Sequence, residues 1–194
     1  MNSTASFWDF SVGTYRRPGV ADACLSLQDR YGLDVNVLLY CCWFGCTRGC
    51  LTEAALAAVL AFSQPWADQV VRPLRSARRW MKSAGCRRDE VSTPACLSLR
   101  DRIKAAELEA EHLQQQTLAA LTEPAPGDPL PSAEQISHTV SNLRRYLDHH
   151  GVSLDRASLL ELAHIVAAAV DGAEADRVVA ALGTALAVAS NGRG

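Results

Sequence analysis

The basic residues between Arg72 and Lys104 form the strongest local concentration of charge in the sequence. This segment holds ten lysines and arginines against three acidic residues, whereas the whole chain of 194 residues has a formal net charge of −2. Four basic side chains recur at helical spacing, which predicts one stripe on a helix: Arg72, Arg75, Arg79 and Lys82. Guanidinium groups match phosphate oxygens, so the stripe is a candidate site for nucleic acid or an anionic small molecule.

Internal ion pairing is the competing interpretation of this stripe. Asp29, Asp34 and the glutamates of a later helix provide carboxylates that would neutralise the arginines. The chain is acidic overall, whereas a typical nucleic-acid-binding module is basic. We therefore favour internal pairing and keep nucleic acid as an alternative partner.

A polar corner between two predicted helices is the second candidate site. Gly32 is expected to end the first helix and Asp34 to cap the second, which brings Asp29, Asp34 and Asn36 together. The corner lacks the ligand spacing of a calcium loop and offers too few oxygens for a hard cation. We expect a helix cap with ionic bonds to the arginine helix. The alternative is an enzyme site in which the corner faces the arginines across a pocket.

Three of the seven cysteines, Cys42, Cys46 and Cys50, recur at four-residue steps and share one face if their helix continues. A structural zinc ion needs four ligands, and the sequence places no histidine near these thiols. Free cysteine is usually buried, so we expect reduced core thiols rather than a disulfide framework. No metal ion or cofactor is predicted.

The sequence contains no G-x-S-x-G, P-loop, dinucleotide-binding or H-E-x-x-H motif, so no catalytic residue is assigned. His149 and His150 are interpreted as positive charge at the negative pole of a helix. The protein is predicted to lean towards a non-enzymatic function.

Alanine and leucine dominate the composition and runs of β-branched residues are rare, which predicts an all-α fold. The apolar helix from Val35 to about Phe44 must be surrounded by other helices, so we place it at the centre of a bundle formed by residues 1–122. A proline-rich linker (residues 123–131) and a C-terminal appendage of about three helices (residues 132–194) follow.

Several residues predict where helices begin and end. Ser6 and Thr52 are expected to precede helices, Pro18 to begin one, and Gln64 with Pro65 to interrupt one. Pro73 predicts a kink or a fresh start, and Ser132 with Gln135 a capping box. A long helix to about Leu121 is predicted to bury a heptad-like series: Cys96, Leu99, Ile103, Ala106, Ala110 and Leu113.

The N-terminus lacks the features of a secretory signal, and the apolar helices are too short to cross a bilayer. These features predict a cytoplasmic protein with no membrane span.

Three blocks of sequence occur in an order that resembles a known family. They are FWDFSV..Y...GV...CLSLQDRYGLDVNVLLYCCW, VVRPLRSARRWMK and LRDRIKAAELEAE, and they cover residues 6–122. They resemble a proteobacterial family of short proteins described only as a domain of unknown function. The resemblance implies a compact, cytoplasmic helical unit and assigns no catalytic residue.

The sequence favours a non-enzymatic function in binding other proteins. The arginine stripe and the long heptad helix are expected to bind an acidic protein partner or a second copy of the chain. A nucleic-acid accessory protein and an enzyme acting on an anionic small molecule are the alternatives.

Overall fold

The computed structural model describes residues 6–87, 93–121 and 130–191, and these residues form helices and no strand. The all-α bundle predicted from the sequence is confirmed. Most of the predicted proline-rich linker lies outside the described residues. None of the described helices combines the length and the apolar character that crossing a membrane would require.

The helices of the N-terminal part follow in short succession. They are α1 (Phe7–Tyr15), α2 (Val20–Tyr31), α3 (Val35–Thr47), α4 (Glu53–Trp66), a π-helical turn (Ala67–Val71), α5 (Arg72–Ser83) and α6 (Thr93–Ala120). The C-terminal part contains α7 (Ser132–His149), α8 (Arg156–Ala169) and α9 (Ala175–Asn191).

Helix α3 lies at the centre of the main core, as its apolar sequence predicts. Nine of its residues are buried, and it packs most extensively against α7. Gly45 allows the close approach, because a Cβ there would lie 2.6 Å from the backbone N and Cα of Thr139 on α7. Gly49, with φ +98°, follows the end of α3 in the left-handed conformation that favours glycine.

Most predicted caps are present. Ser6, Asp34 and Thr52 each accept a hydrogen bond from a backbone N–H in the first turn of the following helix. Gly32 ends α2 with φ +69°. Two predictions about helix starts are wrong: α2 begins at Val20 rather than Pro18, and Ser132 donates to the Asp171 carbonyl instead of closing a capping box.

The prediction that Gln64 and Pro65 interrupt the helix is also wrong. Helix α4 continues through Pro65 into the π-helical turn, which Arg72 closes by donating its N–H to the Ala67 carbonyl. Pro73 lies in the first turn of α5, where a missing N–H is tolerated. Val71 and Arg72 keep right-handed helical backbone angles, so α5 follows the π turn without a break and Pro73 does not make a fresh start. The extra residue of the π turn changes which side chains face the core.

Helices α5 and α6 form an antiparallel arm with a small core of its own. Met81, Cys86, Cys96 and Ile103 pack together, and Cys86 is joined to Cys96 by a disulfide. This bond corrects the expectation that the thiols are reduced, although the other five cysteines are free. Helix α5 packs chiefly on α6 and its two adjoining turns, so the arm extends from the main core.

The C-terminal helices share the main core. Val140, Leu143 and Leu147 of α7 and Leu162 and Ile165 of α8 are buried in the same cluster as α3. Helix α8 packs against α2, and α9 packs against α7 and α8. The division of the chain into separate domains at the linker stays a prediction.

Candidate ligand-binding pocket

Four of the residues predicted to form a site line one pocket: Asp34, Asn36, Arg72 and Arg75. The pocket has a volume of about 340 Å³ and lies among α1, α2, α3, the π-helical turn, α5 and α6. Helix α3 contributes the polar corner, and the start of α5 contributes the arginines. The fold thus brings together two groups that are separated by more than one helix in the sequence.

The other three predicted residues lie outside this pocket. Arg79 Nη1 is 3.6 Å from Asp29 Oδ1, and both side chains are about half exposed. Lys82 is exposed on α5. An exposed ion pair of this kind contributes about 0–1 kcal/mol, so these residues do not define a site by themselves.

Asp34 is held by hydrogen bonds on every side. Its Oδ1 accepts from the Asn36 backbone N–H at 2.8 Å, and its Oδ2 accepts from Ser63 Oγ at 2.8 Å and Gln114 Nε2 at 2.7 Å. Its own N–H donates to the hydroxyl of Tyr146 at 2.8 Å. Asp34 therefore caps α3 as predicted, but among the described residues its side chain bonds to Ser63 and Gln114 rather than to an arginine.

Three buried amide side chains continue from Asp34 as a row. Gln114 Oε1 accepts from Asn36 Nδ2 at 2.7 Å, and Asn36 Oδ1 accepts from Gln115 Nε2 at 2.7 Å. The row ends at Gln115 Oε1, which is buried and has no hydrogen-bond partner among the residues that the structure describes. We call Asp34, Gln114, Asn36 and Gln115 the amide row.

The hydroxyl of Ser11 is a second buried oxygen without a described partner. Ser11 on α1 and Gln115 on α6 both line the pocket and are only 3% and 4% exposed. A buried polar group left without a hydrogen bond costs about 1–3 kcal/mol. The pocket thus contains hydrogen-bonding capacity that the described part of the protein does not use.

Arg75 joins the pocket to a partly buried ion cluster. It bonds to Glu107 and Glu111 of α6 and to the side-chain carbonyl of Gln28, while Arg78 bonds to Glu107. The internal pairing predicted for the stripe is therefore observed at Arg75. Two cations face two carboxylates, so the cluster is formally neutral.

The two glutamates of this cluster titrate differently. Burial alone would raise the pKa of Glu107, but hydrogen bonds from Arg78 and Arg75 outweigh it and lower the pKa. Burial raises the pKa of Glu111, and the neighbouring charge of Glu107 adds to that rise against the opposing effect of Arg75. Glu111, which lines the pocket, is the carboxylate that takes up a proton more readily.

Many of the other side chains that line the pocket are apolar. The apolar lining includes side chains from four helices, the π-helical turn and the connection between α2 and α3: Trp8, Val12, Leu25, Leu33, Leu39, Val71 and Leu108. The Trp8 ring lies against His112 with its centroid 4.1 Å away. Leu25 and Leu108 remain exposed, so apolar surface is available for contact with a bound molecule.

The π-helical turn supplies part of the wall. Ala67 and Val71 lie in the turn and line the pocket together with Arg72, the residue that closes it. A π turn inside an α-helix is rare, and such turns are frequent at functional sites.

Sequence reasoning missed the residues that complete the site. Glu107, Gln114 and Gln115 of α6 are buried although none of them belongs to the apolar series that was predicted to be buried, whereas Leu99, Ala106 and Leu113 of that series are exposed. Arg78 was omitted because it lies outside the predicted stripe. The sequence did contain a signal for this burial, because Gln114 lies one helical turn from both Ala110 and Leu118, which are buried as well.

The predicted thiol stripe is broken by the end of α3. Cys42 is buried and Cys46 is partly buried, but Cys50 follows Gly49 and is exposed, so it is not a core thiol. The expectation that no histidine lies near these thiols is wrong. His138 on α7 is distant in the sequence, but the fold places its Nδ1 3.0 Å from Cys50 Sγ. Among the described residues, no group of three or more histidine, cysteine or acidic side chains is arranged to hold a metal ion.

Comparison with known proteins identifies a family without assigning an activity. A family model described as a protein of unknown function (DUF2390) matches residues 6–118. No curated protein and no solved structure matches the chain. The matched segment contains every residue that lines the pocket, from Trp8 to Gln115. Since the match spans more than half of the sequence, the chain belongs to the DUF2390 family of proteins of unknown function.

Proposed function

We propose that the protein binds a small, largely apolar molecule in the pocket described above. The observation that carries this proposal is the pair of buried, unpartnered oxygens, Gln115 Oε1 and Ser11 Oγ, on two residues that line the pocket. Ligand pockets of about 300–1,000 Å³ typically combine apolar walls with a few polar groups. The volume of about 340 Å³ suits a ligand at the small end of this range.

The contacts around the pocket favour the binding of an apolar molecule over the binding of a phosphate. Arg75 is committed to Glu107 and Glu111, and Arg72 to Asp68 and the Gly32 carbonyl. An anion entering the pocket would also meet Asp34 and Glu111. The same commitments reduce the support for nucleic acid on the arginine stripe, because phosphates would have to displace partly buried carboxylates.

A screen of bicyclic aromatic fragments by ligand-observed NMR tests the proposal, with Leu108→Trp as the blocking variant. Leu108 is 55% exposed at the pocket, so the larger ring can cover the opening without entering the core. Leu97→Trp is the matched control, because Leu97 is exposed on the same helix outside the pocket.

We expect at least one fragment with a Kd below about 1 mM for the wild type and for Leu97→Trp, and weaker binding by about fivefold or more for Leu108→Trp. The absence of any such fragment would overturn the proposal. Binding that Leu108→Trp leaves unchanged would overturn it as well.

Self-association through the α5–α6 arm is a second candidate function. Trp80 is 55% exposed on α5, and Leu97 and Leu99 are exposed near the start of α6. The arm belongs to the basic segment, whereas the rest of the chain is acidic, so a second copy offers complementary charge. Sedimentation velocity at low salt should then show a dimer or larger species that Trp80→Ser and added salt reduce. A monomer at all concentrations would exclude this candidate.

A cytoplasmic location remains part of the proposal. The five free cysteines support a reducing compartment. The Cys86–Cys96 disulfide is the feature that such a compartment would tend to open.

A further inference from the structure

The amide row has a direction that Asp34 sets. A carboxylate offers only acceptors, so Gln114 must direct its NH₂ group towards Asp34 Oδ2, where the distance is 2.7 Å. Ser63 Oγ donates to the same oxygen and accepts a second bond from Gln114 Nε2. The orientation of the Gln114 amide is thereby fixed by its partners.

This direction is transmitted to the end of the row. With its NH₂ group on Asp34, Gln114 presents Oε1 to Asn36 Nδ2, and Asn36 must then present Oδ1 to Gln115 Nε2. Gln115 is left with its carbonyl oxygen, Oε1, as the terminal group. Because Gln114 is fully buried and Asn36 and Gln115 are nearly so, rotating one amide would oppose two acceptors or two donors.

We infer that the ligand of this pocket is a small apolar molecule carrying an N–H or O–H hydrogen-bond donor, which it directs at Gln115 Oε1. This inference rests on the proposed binding function and specifies its chemistry. Ser11 does not oppose the assignment, since its hydroxyl both donates and accepts and so adapts to either kind of ligand. The selective element is the fixed carbonyl of Gln115.

Substitution of Asp34 by asparagine should reverse the row. An asparagine caps a helix about as well as an aspartate, so its Oδ1 can keep the bond to the Asn36 backbone N–H. Its Nδ2 then donates where Oδ2 accepted, which turns the amides of Gln114, Asn36 and Gln115 in succession. The terminal group of Gln115 becomes an NH₂ donor, and the pocket should prefer a ligand with an acceptor.

Three bicyclic probes of similar shape measure this preference. Indole offers an N–H donor and no acceptor, quinoline offers an acceptor nitrogen and no donor, and 1-benzothiophene lacks an N–H or O–H donor and a nitrogen acceptor. Affinities are measured by ligand-observed NMR titration on the wild type and on Asp34→Asn, each relative to 1-benzothiophene. The melting temperature of each protein confirms that it is folded.

For the wild type we expect indole to bind up to about tenfold more tightly than quinoline, as one net hydrogen bond allows. For Asp34→Asn we expect the order to invert. Gln115→Met, which removes the terminal carbonyl but keeps a side chain of similar length, should bind the two probes with affinities within about twofold of each other.

Equal binding of indole and quinoline to the wild type would overturn the inference while leaving the binding function intact. An order that Asp34→Asn does not change would do the same. Failure of all three probes to bind would overturn the inference together with the proposed function.

Discussion

Arg75 Nε on α5 donates to Glu107 Oε1 on α6 across 2.9 Å, and this contact joins the two helices of the arm beside the pocket. Arg78 donates to the same carboxylate, and Arg75 also reaches Glu111. Glu107 is only 5% exposed, so its charge is balanced by these two guanidinium groups rather than by water. A buried carboxylate of this kind is costly to desolvate, and removing it leaves Arg78 without its partner and Arg75 with Glu111 alone.

Glu107→Gln should therefore lower the free energy of unfolding by about 3 kcal/mol, because it leaves the partly buried Arg78 without a carboxylate partner and Arg75 with Glu111 alone. Urea denaturation followed by circular dichroism measures the change. Glu109→Gln is the matched control, since it removes the same charge from an exposed position on the same helix and should shift stability by less than about 0.5 kcal/mol. Equal effects of the two substitutions would show that the ion cluster does not hold α5 against α6.

Glu111 should give the protein a distinct dependence on pH. Its pKa is raised in the folded state, chiefly by burial, so the folded protein takes up a proton more readily than the unfolded chain. The resulting stabilisation is fully present below the unfolded pKa and is lost as pH rises through the folded pKa. Between about pH 7 and about pH 5, wild-type stability should therefore increase relative to that of Glu111→Gln, which cannot titrate at this position.

Denaturation of both proteins at the two pH values measures this difference. Glu107 does not mask it, because its pKa is lowered and the stability it contributes is lost only at more acidic pH. A difference between the wild type and Glu111→Gln that stays constant, or that falls as the solution is acidified, would contradict the prediction.

The sequence was sufficient to predict the helices whose ends carry strong local signals. Asp34, Gly32 and Thr52 act within one turn of their own positions, so their caps follow from the residues alone. The burial of α3 was equally predictable, because an apolar helix too short for a membrane needs neighbours on all sides.

The polar part of the pocket could not be predicted by the same reasoning. Asp34 and Gln114 are 80 residues apart, and their contact depends on the packing of α3 against α6. Apolar periodicity assigns leucines to the buried face of a helix, whereas α6 buries Glu107 and Gln114 because partners on other helices satisfy them. The π-helical turn also inserts one extra residue between α4 and α5, and no local pattern in the sequence indicated this insertion.

The free cysteines should differ sharply in reactivity. Cys50 is exposed, whereas burial raises the pKa of Cys24 to about 12 and that of Cys46 to about 11. Burial also raises the pKa of Cys41 and Cys42, so neither supplies much of the reactive thiolate. Iodoacetamide applied to the native protein should label Cys50 first, Cys46 slowly and the other three only after unfolding.

Peptide mass spectrometry over a time course identifies the labelled positions. Cys50→Ser should remove the fast phase and leave the slower labelling unchanged. Labelling of Cys41 or Cys42 in the native protein as fast as that of Cys50 would contradict the burial of α3.

Gly45 should tolerate no side chain, because it is where α3 and α7 approach most closely. A Cβ at this position would lie 2.6 Å from the backbone N and Cα of Thr139, and backbone atoms cannot move aside without shifting α7. Gly45→Ala should therefore destabilise the protein by about 3 kcal/mol, the upper part of the usual range for overpacking.

Gly13→Ala is the matched control, since a Cβ at position 13 meets no atom within 4 Å. The substitution also removes the flexibility of a glycine inside α1. We expect Gly13→Ala to stabilise the protein by about 0.5–1 kcal/mol, and thermal or urea denaturation of the two variants to move in opposite directions. Similar stabilities for the two variants would mean that α7 does not pack against α3 at this distance.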